Sequence, residues 1–482
     1  MPVRMFHLKP SSMLPLDRIV QLLPDALTEP LSRKNFLQLA GKGVAAGVVG
    51  TLAASCKATE TGAGTGASAT STGGTLSAPH GQTVPKTPPA SPPAQVPAQV
   101  NAPIKLETWK SEAEPESGPV PTPLPPDQRV GYVVVGLEHL TLEEFLPAFA
   151  QCKKSKVVAL VSGSPEKMRK VAQQYGIKPE NCYSYQTYDQ LKDNPEVQAI
   201  YIVLPNSMHA EYTIRRAQAG KHILCEKPMA NSVAECQAMV DACRKTNKKL
   251  MVAYRIQNEA YNRHGCQLVQ ERKYGAVKLI ETVNTQSSAN PQHWRFKKAL
   301  AGGGALPDIG LYCLNTMRFL LGEEPTEVTG YVYSTPGNPL FKEVEEMVSW
   351  QMKFANGVVA NCATIYNAHS SRHLRVICER AWMEVDPAYA YEGQQFTLSY
   401  VAEGKGRKEN VKLSAHNQFT AEIDHFSECI LEDKTPYTPG EEGLQDQRIM
   451  EAIYQSSREG RPVKLSPVSR KDAYRGSEPV QE

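Results

Sequence analysis

The sequence predicts an α/β protein built on a parallel sheet with helices on both faces. Three observations carry that prediction. Short apolar runs alternate with amphipathic stretches from Gly131 onward, and the first of these runs leads straight into Gly136. A chain of 482 residues is also too long for one ordinary domain, so a second one should follow.

The elements are taken in chain order. Ser32-Arg33-Lys34-Asn35-Phe36-Leu37 precedes a mildly apolar, Ala/Gly-rich stretch from Val44 to Ala54. A basic pair, a short apolar run and small residues at its end read as an export signal, close to a twin-arginine leader with lysine in the second place. The run is too short for a membrane helix. Cys56 follows Leu52-Ala53-Ala54-Ser55, which fits either a lipoprotein box, making Cys56 a lipid anchor, or an ordinary small-residue cleavage site. Residues 1–56 are therefore assigned to the export signal. From Lys57 the composition shifts to Gly, Ser, Thr, Ala and then Pro. Such a segment buries too little apolar surface to offset its ordering entropy, so 57–128 are expected to be a disordered linker.

Tyr132-Val133-Val134-Val135, Val157 to Val161, Ala199 to Val203 and His222 to Cys225 read as buried strands, with helices over Pro165 to Tyr175 and Ala210 to Ala219. In such a fold ligands lie at the carboxyl ends of the strands. A dinucleotide fingerprint there needs small residues at 136, 138 and 141, and only Gly136 is intact. Glu138 puts a bulky, like-charged side chain where the backbone should approach a pyrophosphate. The second strand ends in Ser162-Gly163-Ser164 with Lys167 behind it, where an NAD enzyme usually has a carboxylate. A hydroxyl and a cation suit a 2′-phosphate, so NADP is expected. Arg169 and Lys170 read as the solvated face of a helix.

Net charge is +3 and no basic run interleaves with aromatics, which disfavours nucleic acid as a partner. Hydrophobic residues make up 41% and charged ones 21%, as in a globular domain. The 11 cysteines include no Cys-x-x-Cys pair, so neither a zinc site nor a disulfide framework is expected. Cys236, Cys243 and Cys429 read as core side chains.

The fourth strand delivers Glu226-Lys227-Pro228, and a lysine there points into the ligand crevice. Gly302-Gly303-Gly304-Ala305-Leu306-Pro307-Asp308 reads as a loop entering a helix that runs toward Leu320-Leu321. Asp308 and Tyr312 are four apart, hence on one helix face. Lys227, Asp308 and Tyr312 make a workable alcohol–carbonyl couple. A tyrosine can serve the substrate oxygen, and a neighbouring ammonium makes a phenol easier to ionise. Asp308 could hold a sugar hydroxyl or orient the tyrosine.

Leu204-Pro205-Asn206-Ser207-Met208-His209, Cys225-Glu226-Lys227-Pro228, Trp294-Arg295 and Asp308-Ile309-Gly310-Leu311-Tyr312 resemble the Gfo/Idh/MocA family of dehydrogenases. Tyr312 with Ser162-Gly163 narrows the likeness to its glucose–fructose oxidoreductase branch. The resemblance implies an amino-terminal Rossmann domain over 129–253. It further implies an α/β domain with a large, mostly antiparallel sheet over 254–465, used for oligomer contacts, then a polar tail over 466–482. Lys227 and Tyr312 are implied as catalytic and Asp308 as a substrate ligand. NADP contacts are implied along Gly136, Leu137, Ser162, Gly163 and Lys167. Others fall on Leu204, Pro205, Asn206, His209, Glu226, Lys227, Arg255, Trp294 and Arg295. The resemblance implies a homo-oligomer, dimer or tetramer, with the arm Pro119 to Pro126 lying over a neighbour's cofactor. The segments Thr282 to His293 and Tyr366 to His373, which face the substrate in the family, differ from the relative. The leading expectation is a periplasmic NADP-dependent oxidoreductase acting on a sugar or polyol. The rival is a non-catalytic binding descendant, favoured by Glu138 and opposed by Lys227, Asp308 and Tyr312.

Overall fold

A computed structural model describes residues 129–468 except 288, 289 and 415. The leader, Cys56, the linker, the proline-rich arm and most of the tail lie outside the described residues.

The first sheet has six strands: β1 (Val130–Val135), β2 (Ser155–Val161), β3 (Cys182–Tyr183), β4 (Ala199–Ile202), β5 (His222–Glu226) and β6 (Leu250–Ala253). All pairings are parallel, in the order β3-β2-β1-β4-β5-β6. This is the Rossmann arrangement, with the chain reversing direction between β1 and β4, where a ligand crevice opens. Every residue of β1 and β4 is buried, as a parallel sheet covered on both faces requires. The covering helices include α1 (Leu146–Gln151), α2 (Pro165–Gln174), α3 (His209–Gln218) and α4 (Val233–Lys245). Local chemistry starts two of them. Ser164 accepts the Lys167 N–H ahead of Pro165 in α2. Ser232 and Glu235 form a reciprocal cap at α4, with Ser232 accepting the Glu235 N–H and donating to its carboxylate.

The second sheet has nine strands in the order β14-β13-β12-β11-β7-β10-β9-β8-β15. They are β7 (Val277–Gln286), β8 (Pro325–Tyr333), β9 (Met347–Phe354), β10 (Val359–Tyr366), β11 (Ser371–Cys378), β12 (Ala381–Asp386), β13 (Gln395–Ala402), β14 (Lys405–Val411) and β15 (Val463–Lys464). Only β7 and β10 pair in parallel. Burial alternates along β9 and β10, the signature of a sheet with one face on the core. That face is covered by α5 (Ala260–Gln270) and α6 (Leu311–Leu321).

Two late helices return across the chain. In α7 (Gln418–Leu431), Ser427 meets the Tyr132 hydroxyl at 2.9 Å and Phe419 packs edge-on against Phe145, so α7 covers part of the parallel sheet. Helix α8 (Gly440–Glu459) packs on α4 and β8. Ten cysteines among the described residues are free, and all but Cys182 are buried.

Candidate active site

The cleft is assembled at the carboxyl ends of β1, β2, β4 and β5. Gly136 ends β1 at φ 101°, in the left-handed region. A Cβ there would lie 2.0 Å from the Val203 carbonyl oxygen, so only glycine lets this turn close against β4. Thr141 stands where the fingerprint has a third small residue. It is fully buried, and its hydroxyl donates to the Gly136 carbonyl at 2.8 Å, tying the turn together. Leu137 is buried in the core beside α1. Glu138 points outward, with its side chain 61% exposed, and pairs with Lys167 at 3.1 Å. The damage expected from a carboxylate inside the turn is therefore relieved in two ways: it faces solvent, and a cation meets it. His139 pairs with Glu143 instead.

At the end of β2, Ser162 is buried and its hydroxyl accepts the Ser164 N–H at 3.1 Å. Gly163 sits 3.1 Å, by its missing Cβ, from the Tyr185 ring. Lys167, expected to be available to a phosphate, is engaged by Glu138 in this structure.

The β4 motif acts largely as scaffold. Asn206 donates to the Ala301 carbonyl at 2.9 Å, joining the loop after Pro205 to the short helix Lys298–Ala301. His209 is buried with its ring nitrogens 2.9 Å from the carbonyls of Leu204 and Pro228, clamping the β4 loop to the β5 loop. Burial holds its pKa below the ordinary histidine value. Glu226 accepts from the buried Tyr201 hydroxyl at 3.0 Å, and burial pushes its carboxyl up to about 7.

Lys227 follows β5, and its bond to Pro228 is cis. Its ammonium donates to the Asp308 carbonyl at 2.7 Å and to Asp308 Oδ1 at 3.3 Å, and lies 4.8 Å from the Tyr312 ring centre. Burial disfavours the charge. The groups around it, Tyr312, Asp308 and Glu226, outweigh burial and hold Lys227 above its ordinary value.

Asp308 lies in the wide helical turn Leu306–Gly310 that runs into α6. Its Oδ1 faces Arg295 Nε at 3.3 Å as well as Lys227, and its Oδ2 accepts the Tyr366 hydroxyl at 2.6 Å. Burial opposes ionisation here too, but Arg295, Lys227 and Tyr366 together keep the carboxyl well below the usual carboxylate range. Both carboxylate oxygens thus already hold protein donors. Asp308 orients Lys227, and the tyrosine has a different partner. Arg255 Nε donates to the Tyr312 hydroxyl at 3.1 Å, while the rest of that guanidinium is fixed by Gln418 and by the carbonyls of Tyr389 and Ala390. Arg295 lies over Trp294 with 4.5 Å from its guanidinium carbon to the ring centre.

Sequence reasoning gave no individual role to three residues, although two of them, His293 and Tyr366, stand at the ends of segments read as facing the substrate. Tyr366 completes the shell around Asp308 from 58 positions away. His293 is buried, accepts the Arg295 N–H at 3.3 Å, and is pushed down to about 3 by burial and the Arg295 charge. Glu422 on α7 is fully buried, and neither oxygen has a hydrogen-bond donor among the described residues. Burial, reinforced by the nearby Glu226 charge, raises its pKa well above the ordinary 4.5. Tyr366 and Glu422 gain their surroundings by long-range packing, whereas His293 acts locally, as the cap of the turn that carries Arg295.

The Glu422 carboxyl gives a pH prediction. A carboxyl whose folded pKa exceeds its unfolded value contributes stability below the unfolded value and loses it as pH rises toward the folded one. Stability of the parent, compared at an acid and at a neutral pH, should decline as pH rises above the ordinary carboxyl value of 4.5, with Glu226, pushed up to about 7, adding to the decline. Glu422→Gln should flatten that decline in urea melts at the two pH values. An equal decline in parent and variant would mean that Glu422 does not titrate this way.

The residues present fit a bound dinucleotide. The Gly136 turn admits backbone that a Cβ would exclude, it lies where the strand order reverses, and a buried hydroxyl and a lysine stand at the end of β2. Comparisons with known proteins agree. Residues 130–254 match a model of an oxidoreductase family with an NAD-binding Rossmann fold, and 267–465 match the carboxy-terminal α/β domain of the same family. The chain is 31% identical over 345 residues to D-xylose 1-dehydrogenase [NADP(+)] of Haloarcula marismortui, covering 70% of this chain and 94% of that one. A crystal structure of aldose-aldose oxidoreductase from Caulobacter crescentus, complexed with glycerol, superposes with a TM-score of 0.68 at 42% identity, covering 70% of this chain and 100% of that one. Levoglucosan dehydrogenase in complex with NADH and levoglucosan shares the fold, with a TM-score of 0.62 at 23% identity, over 70% of this chain and 100% of that one. With both halves of its described body matched in order, the chain belongs to the Gfo/Idh/MocA family of oxidoreductases, whose relatives include NADP-using sugar dehydrogenases.

Proposed function

We propose that the chain is an NADP-dependent oxidoreductase, similar in action to glucose–fructose oxidoreductase, that acts on a CH–OH group of a sugar or polyol. The observation that carries this reading is the position of Lys227, whose ammonium bridges Asp308 and the ring of Tyr312 beyond the carboxyl end of β5. The likeness to an aldose-aldose oxidoreductase at 42% identity supports aldoses as the substrate class. Bound NADP supplies the hydride acceptor in oxidation and the donor, once reduced, in the reverse direction. The backbone at Gly136 and Leu137 would hold its pyrophosphate, and Ser162 with Lys167 its 2′-phosphate.

The protein's own part is proton transfer and positioning. Tyr312 takes the proton of the substrate hydroxyl as the carbonyl forms, and returns it in reduction. Lys227 and Arg255 place two positive charges against that tyrosine, which favours the negative charge that develops on the substrate oxygen. Asp308, itself held by Arg295 and Tyr366, fixes Lys227, so the ammonium does not have to reorganise during the reaction.

The leader around Arg33-Lys34 supports export to the periplasm, and Cys56 supports a lipid anchor there. The large second sheet supports self-association as a dimer or tetramer. Retained nucleotide tests the central reading. The purified protein is expected to carry NADP, identified by denaturing it and separating what is released. Release of NAD with no NADP would overturn the 2′-phosphate assignment, and release of no nucleotide would favour a non-catalytic binding protein.

A further inference from the structure

Glu138 and Lys167 come from different elements and meet beside the carboxyl ends of β1 and β2. Glu138 follows the β1 turn, and Lys167 sits one turn into α2. Their side chains meet at 3.1 Å, with Lys167 14% exposed and Glu138 61% exposed. The other charged groups nearby have partners of their own: Glu166 pairs with Lys170, and His139 with Glu143. Lys167 is also fixed by its backbone, since its N–H is capped by Ser164. Its ammonium is therefore poised near the end of β2, and Glu138 is the carboxylate that holds it.

We propose that Glu138 is a specificity-determining residue for the 2′ position of the dinucleotide, acting by competing for Lys167. The inference rests on the dinucleotide reading above. When the ribose carries a 2′-hydroxyl, the ion pair stays closed, and the Glu138 carboxylate can accept from the sugar hydroxyls. When it carries a 2′-phosphate, Lys167 must leave Glu138 for the phosphate, and Glu138 is released to solvent as an unpaired like charge. The pair thus weakens the preference for NADP that Ser162 and Lys167 would otherwise give, and leaves NAD a usable ligand. Exposure of Glu138 keeps the cost moderate, because solvent screens a charge at the surface. The fingerprint glycine that Glu138 replaces would leave Lys167 with the phosphate alone.

The test measures retained nucleotide rather than turnover. Parent, Glu138→Gln, Lys167→Gln and the double variant are each equilibrated with NADP and a large excess of NAD. Each is then freed of unbound nucleotide and denatured, and the released NADP and NAD are quantified. Glu138→Gln should raise the NADP-to-NAD ratio by about tenfold, and Lys167→Gln should lower it. In the Lys167→Gln background, Glu138→Gln should change the ratio by less than about twofold, since there is no cation left to compete for. Glu138→Gln leaving the ratio of the parent background unchanged would overturn the proposal. So would a full tenfold effect in the absence of Lys167, which would mean direct repulsion. If the parent retains neither nucleotide, the dinucleotide reading itself falls and this inference falls with it. A parent that retains nucleotide but ignores Glu138 refutes the inference alone.

Discussion

Tyr312→Phe is expected to lose ~10²–10⁴-fold in turnover, the contribution typical of a positioned acid–base group. The loss should appear in kcat, with the retained nucleotide unchanged, because the hydroxyl is needed mainly while the proton moves. The structure explains why the fold should survive. Arg255 loses one acceptor, but its other donors remain bonded to Gln418 and to the carbonyls of Tyr389 and Ala390. The ring of Tyr312 keeps its stacking on Tyr389 at 6.1 Å between centres. The measurement is steady-state turnover on the best aldose, together with nucleotide content and a thermal melt. Turnover within a few-fold of the parent would reduce Tyr312 to a packed side chain. Neither Lys227 nor Asp308 is expected to set a pH limb in the neutral range, because their surroundings hold one ammonium and one carboxylate charged there.

The second large effect is on stability. Arg318 lies on α6, one and a half turns after Tyr312, and its side chain is fully buried. Its guanidinium donates to Glu324 at 2.7 and 2.8 Å, to Glu442 at 3.3 Å and to Asp446. Asn315 and Gln257 donate into the same carboxylate cluster, so the network ties the Tyr312 helix to α8. Arg318→Ala would leave these carboxylates facing one another without a cation. Breaking a buried ionic network in this way costs about 3–5 kcal/mol, read from denaturant midpoints. The loss should shrink toward acid pH, where the orphaned carboxyls take up protons. A loss below about 1 kcal/mol at neutral pH would show that the cluster relaxes without its arginine.

The sequence by itself determined the parallel sheet, the turn at Gly136 and the nearness of Asp308 and Tyr312 at the start of one helix. These are local or periodic properties. Apolar runs bounded by helical stretches admit few arrangements, β4 and β5 each carry a motif at their carboxyl ends, and a four-residue spacing sets a helix face. It also carried the family, through short motifs that the family models match over 130–254 and 267–465.

The tertiary structure decided who pairs with whom. Glu138 reads in the sequence as a charge inside a phosphate turn, but its direction depends on the loop, and its partner Lys167 lies 29 positions away. Asp308 reads as a sugar ligand, but Arg295 and Tyr366 arrive from two other segments to occupy its oxygens. Arg255 reaches Tyr312 only because α7 and the loop after β12 fix its other donors. Glu422 gives no sign in the sequence of being fully buried. A side chain's type and spacing constrain what chemistry it can do. Its protonation and its partners follow from which distant segments pack against it, because burial and charge act through space rather than along the chain.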